Sequence, residues 1–172
     1  SSRFREMAEI ERKFYLRKYC KMKALILAGG YGTRLYPLTI DKPKALLEIA
    51  GRAIIDFIVD AVLKVPEVDQ ILVVTNNKFY NDFLDWKKNL NSDFNIEIIN
   101  DKTDTNEKRL GAIKDIELVI KKYKIKDDLL VIGGDNLFEF NLNEFTDKFK
   151  ILKSHLVGVV DILDVNKATQ IG

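Results

Sequence analysis

Three short runs, Ala24–Leu27, Ile71–Val74 and Leu129–Ile132, are apolar at every position. A strand wet on one face alternates apolar and polar side chains, whereas an unbroken apolar run marks a strand covered on both faces. The runs belong to strand-like segments at Lys23–Ala28, Gln70–Thr75 and Asp128–Ile132, and further ones follow at Phe94–Ile99 and His155–Val160. Between them lie segments with helical spacing. These are Ala53–Leu63, Phe79–Leu90, Leu110–Tyr123 (through Ile113, Ile116, Ile120 and Tyr123) and Asn143–Leu152. A shorter apolar run, Ala45–Ile49, precedes the first of them. Strands alternating with helices predict an α/β fold: a Rossmann-like, three-layer α/β/α arrangement with a mostly parallel sheet.

The chain has 172 residues, enough for one domain with a real core. Its charge is uneven. Residues 1–21 carry seven Lys/Arg and three Glu, about +4, so the remainder is near −2 although the whole chain is +2. The body of the protein therefore has no basic footprint for nucleic acid. Ser1–Lys21 reads as a helical leader, either native or added to the protein, and Met22 opens the domain proper, 22–172. No apolar run approaches the length of a membrane span. Cys20 is the sole cysteine, which excludes an internal disulfide and fits a cytoplasmic setting.

In open parallel sheets, ligands bind outside the carboxyl ends of the strands. Two loops stand there. After the first run comes AGGYGTRL, Ala28–Leu35. Its glycines let backbone amides approach an anion and form a nest, and Arg34 adds a fork suited to phosphate. Two familiar phosphate loops are absent: no Gly-Lys-[Ser/Thr] string exists, and the third glycine of a dinucleotide fingerprint would fall on Leu35. Lys44, held behind Pro43, supplies a second cation. After the third run comes Gly133-Gly134-Asp135-Asn136. A carboxylate beside a polyphosphate needs a cation between them, and Mg²⁺ is the natural choice. Asp135 is thus the candidate metal ligand.

The stretch LAGGYGTRLYPLTIDKPKALLEIAG, Leu27–Gly51, resembles the signature of sugar-phosphate nucleotidyltransferases over some twenty-five residues without a gap. The GGDN corner resembles the family's metal-binding strand end. The resemblance, closest in type to the glucose-1-phosphate thymidylyltransferases, implies Mg²⁺-dependent transfer of a nucleotidyl group from a nucleoside triphosphate to a sugar 1-phosphate. It implies that Leu27, Ala28, Gly29 and Gly30 line the nucleoside pocket, with Gly32 and Thr33 in the same nucleotide-binding loop. Arg34 and Lys44 would hold the triphosphate catalytically, and Asp135 would bind the metal. The family's base-reading glutamine is missing between Asn100 and Arg109; Asn100 or Asp101 is its expected substitute, and Gly111-Ala112 matches the tail of that segment. Arg109, in a string resembling N-E-x-R-L-G-A, is expected to face the phosphates.

Family members usually continue beyond the point corresponding to Gly172, with an E-K-P motif and a later aspartate. The chain therefore reads as the N-terminal, nucleotide-binding portion of such an enzyme, with a sheet incomplete at its C-terminal end. An apolar edge left open would promote self-association into a homo-oligomer. Alternatives are a cytidylyltransferase acting on a non-sugar phosphate such as phosphocholine, a non-catalytic regulatory subunit of the same fold, and a plain nucleotide-binding domain. His155 and Trp86 are expected to be structural.

Overall fold

The computed structural model describes residues 7, 11, 21–90, 92–138 and 140–159. Four parallel strands form the main sheet: β1 (Met22–Ala28), β4 (Val68–Thr75), β5 (Ile96–Asn100) and β6 (Asp128–Gly133). Their order across the sheet is β5-β4-β1-β6. A separate hairpin joins β2 (Glu48–Ile49) to β3 (Arg52–Ala53). Its tip, Ala50 and Gly51, takes φ of 52° and 78°, as two-residue hairpin turns require. The apolar run Ala45–Ile49 is thus divided between a 3₁₀ turn, Lys44–Leu46, and the first strand of this hairpin. Ala45 and Leu46 are buried and anchor the turn.

Alternation along the strands builds two cores. On one face Ala24, Ile26, Ile71, Val73, Ile96, Ile98, Leu130 and Ile132 pack against α1 (Ile54–Leu63) and α2 (Tyr80–Asn89), and against Leu142, Phe145 and Phe149 of α4 (Leu142–Leu152). On the other, Leu25, Leu72, Val74 and Ile99 meet Val119 of α3 (Ala112–Tyr123). The expected three-layer α/β/α fold is the one observed. Trp86 packs edge-on to Phe83 and donates to Asp56 Oδ1 at 2.8 Å.

Two expectations need correction. The apolar stripe predicted for α3 through Ile113, Ile116 and Ile120 is turned: Ile113 is 79% exposed, while Asp115 and Val119 are buried. Ile113, Ile116, Val119 and Ile120 allow two neighbouring stripes, and the sheet face selects the one that carries Asp115. The strand expected over His155–Val160 is not formed over 155–159, which make no ladder with β6. Val157 and Val159 are exposed there; β-branched composition without a paired neighbour does not make a strand. The leader expected over Ser1–Lys21 lies outside the described residues except at three positions, and Cys20 lies outside them altogether.

Candidate functional site

The chain runs from β1 to β4 and β5 on one side, then crosses to β6 on the other side of β1. That reversal makes the β1/β6 boundary a switch point, where the two emerging loops part and leave a crevice. The register pairs Leu27 with Gly133, so the glycine loop and the GGDN corner leave the sheet side by side. Gly134 N–H donates to Leu27 C=O at 2.8 Å and stitches the two loops together. A Cβ on Gly134 would stand 3.0 Å from that oxygen and 3.2 Å from Ala28 Cβ. Gly134→Ala is therefore expected to push the loops apart and lower unfolding stability by about 1–3 kcal/mol, the usual cost of forcing atoms into a packed place. Urea unfolding of the variant checks this.

Leu27, Ala28, Gly30, Gly32, Lys44, Ala45, Gly134 and Asp135 line the crevice. Lys44 Nζ lies 2.7 Å from Asp135 Oδ2 across it. The structure thus brings together Lys44 and Asp135, 91 positions apart in sequence. Both side chains are about 40% exposed (39% and 42%), so the pair is worth only about 0–1 kcal/mol and exchanges partners readily. Gly32 sits at φ 63°, and its carbonyl accepts from Thr39 Oγ1 at 2.6 Å, fixing the bend of the loop. Thr33 and Arg34 follow on a 3₁₀ turn, Thr33–Leu35. Both are exposed, and neither is among the residues that line the crevice.

The remaining expected residues lie to the other side of β1. Asn100, at the end of β5, donates to Asn77 Oδ1 and accepts from Lys102 N–H. Gly111 caps α3 at φ 81° and is exposed. Neither lines the crevice between the glycine loop and Asp135. Arg109 donates to Asn106 Oδ1 at 3.0 Å on the surface and does not reach the crevice lining.

Sequence reasoning missed the polar groups beneath the loop. Asn76, fully buried, donates to Gly29 C=O at 3.1 Å and accepts from Phe79 N–H. Tyr31 Oη donates to Thr103 C=O at 2.9 Å. Thr103 in turn gives both N–H and Oγ1–H to Asp101 Oδ1, at 2.7 and 2.8 Å. Asp115 is the other such group: a helical stripe through Ile113, Ile116 and Ile120 does not include it, and its place four residues before the buried Val119 is the signal in the sequence.

Asp101 and Asp115 are each 5% exposed. Burial raises the Asp101 carboxyl, against the lowering by its Thr103 bonds. Burial, then the neighbouring Asp101 charge, pushes Asp115 up to about 6. A carboxyl raised above its unfolded value stabilises the fold fully below about pH 4 and loses that contribution as pH rises through about 6. The loss is on the order of 2–3 kcal/mol. Asp115→Asn should remove this part of the pH dependence and raise Tm at neutral pH. Paired melts of wild type and variant between pH 4.5 and 8 measure the difference.

A family model for nucleotidyl transferases matches residues 23–172. The chain belongs to this family. Over 131 residues it is 33% identical to the mannose-1-phosphate guanyltransferase of Debaryomyces hansenii, covering 75% of this chain and 34% of that protein. It is 33% identical over 142 residues to the CTP:phosphoglutamine cytidylyltransferase of Campylobacter jejuni, covering 81% and 53%. Among solved structures, the CTP:phosphocholine cytidylyltransferase of Streptococcus pneumoniae superposes with a TM-score of 0.55 at 24% identity, covering 71% of this chain and 48% of that one, and so supports the fold. The chain thus spans between about a third and a half of these proteins' lengths. No helix among the described residues is long and apolar enough to cross a membrane.

Proposed function

We propose that the β1/β6 crevice binds a nucleoside triphosphate and transfers its nucleotidyl group to a sugar 1-phosphate, releasing pyrophosphate. One observation carries this reading: a lysine and an aspartate from distant segments meet across a glycine-floored crevice at the sheet's switch point.

The acceptor is a phosphomonoester, with a second pKa near 6, so at neutral pH it is already largely dianionic. Its oxygen attacks the α-phosphorus, that P–O bond forms, and the bond to the pyrophosphate oxygen breaks. No general base is needed. The protein's task is to align two anions that repel each other and to offset the charge gathering on the leaving group. The glycine-loop amides receive the nucleotide, and Lys44 moves from Asp135 to the phosphates. Arg34, on the exposed turn that follows Gly32, would add a second cation.

Asp135 fits a magnesium ion. Among the described residues no cluster of three metal-ligating side chains exists, so the ion would take its other ligands from phosphate oxygens and water. That is the usual mode for magnesium at nucleotide sites. When bound, the ion would supply Lewis-acid charge at the phosphates. With its carboxylate holding the ion, Asp135 would release Lys44 to the phosphates.

A second reading, transfer of a cytidylyl group to a non-sugar phosphate, is favoured by the Campylobacter relative, which matches 81% of the chain. A pyrophosphate-release screen separates the two. Each nucleoside triphosphate is offered with sugar 1-phosphates, phosphocholine or no acceptor, with and without Mg²⁺. Release that depends on a sugar 1-phosphate supports the first reading; release with CTP and phosphocholine alone replaces it with the second.

A further inference from the structure

Beneath the glycine loop lie two buried carboxylates that the proposed transfer does not use, Asp101 and Asp115. Asp101 Oδ2 and Asp115 Oδ1 are sealed from solvent and have no hydrogen-bond partner among the described residues. Buried polar groups are almost always satisfied, so two unpartnered carboxylate oxygens in one place require an explanation. A Cβ on Gly29 would stand 3.1 Å from Asp115 Oδ2 and 3.3 Å from Asp101 Oδ2, so both carboxylates close on the same face of Gly29.

The charges that act on the two are negative: Asp101 on Asp115, and Asp104 on Asp101. The other polar neighbours are neutral. Tyr31 comes from the loop after β1 and stays a phenol, because burial raises its pKa. Asn76 comes from the loop after β4, and Thr103 from the loop after β5. Two like charges buried together do not both ionise readily, and one proton between them relieves the conflict. Asp101 Oδ1 is held by Thr103, which leaves Oδ2 to accept that proton's hydrogen bond. Alternate residues of one loop tie this pair to the crevice. Gly29 meets the carboxylates directly, and Tyr31 reaches Asp101 through Thr103. Gly30 and Gly32 line the crevice.

We propose that Asp115 and Asp101 are positioning residues that share one proton: with it they brace Gly29 and set the glycine loop for the nucleotide, and without it they part and the loop loosens. This rests on the nucleotide-binding reading of the crevice. No ligand touches the pair; it acts through Gly29 and Tyr31. Burial, then the Asp101 charge, raises the Asp115 carboxyl to about 6, so the proton is present below that pH and leaves as pH rises through it. Nucleotide affinity therefore falls as pH rises, in the same sense as the stability contribution of Asp115.

The test is calorimetric titration of the 172-residue chain, in saturating Mg²⁺, with GTP, CTP, ATP, UTP and dTTP across the range from about pH 5 to 8. For the nucleotide that binds most tightly, wild-type affinity should fall over this range by about tenfold more than that of Asp115→Asn, the change that one pKa unit of coupling produces. The nucleotide's own ionisation is common to both proteins and cancels in the comparison. Asp115→Asn and Asp101→Asn each put an amide N–H where the shared proton stood, so both should lose the extra pH dependence. Asp115→Ala removes proton and brace together and should bind weakly at every pH. A purely structural role would shift Tm in the variants and leave their pH profiles parallel to that of wild type. Parallel profiles overturn the proposal and leave the nucleotide site standing. Absence of binding by all five at every pH removes the nucleotide reading and the proposal with it.

Discussion

Lys44→Ala is expected to lower nucleotidyl transfer by on the order of 10²-fold or more, the scale seen when a donor aimed at transition-state charge is removed. Two effects add. The variant loses a cation that meets the triphosphate, and it leaves Asp135 facing the phosphates uncompensated. The 2.7 Å contact makes the second effect specific. Without Mg²⁺, nucleotide binding should weaken more in Lys44→Ala than in wild type, and added Mg²⁺ should recover part of it. Arg34→Ala, on the exposed turn that follows Gly32, should also lower turnover. Turnover assays and titrations on both variants check this; wild-type turnover in Lys44→Ala would remove the residue from the site.

Asp135→Ala is expected to bring Mg²⁺-dependent turnover to background. Its signature is a reversal in binding. In metal-free buffer the variant should bind triphosphate more tightly than wild type, because Lys44 is no longer engaged and a repelling charge is gone. With Mg²⁺ present the order should invert. The ion pair itself is exposed and weak, so fold stability should change by less than about 1 kcal/mol. Loss of activity accompanied by unfolding would point to a structural role, as would metal-free affinity equal to that of wild type.

Much of this architecture is legible in the sequence because burial on both faces writes an unbroken apolar run. The ALIL, ILVV and LLVI runs become β1, β4 and β6, and the loops after the first and third become the crevice. Strand order is not written there, since periodicity reports which face is buried and is silent on the neighbour. Only the β5-β4-β1-β6 order explains why Lys44 can reach Asp135. The orientation of α3 was hidden because two overlapping apolar stripes differ by about one residue, and the buried one carries Asp115. The segment after α4 has strand composition, yet its described residues pair with no strand. Resemblance sets Asn100 and Arg109 at the nucleotide, whereas the structure spends the Asn100 side chain on Asn77 of the loop after β4 and on Lys102, and that of Arg109 on Asn106.

The central claim is that this crevice holds a metal-bound triphosphate. Titrating the chain with each nucleoside triphosphate, in Mg²⁺ and then in EDTA, tests it most directly. Saturable binding by at least one nucleotide, strongly weakened by EDTA and by Lys44→Ala, is the predicted result. No binding, or binding indifferent to both EDTA and Lys44→Ala, would contradict it.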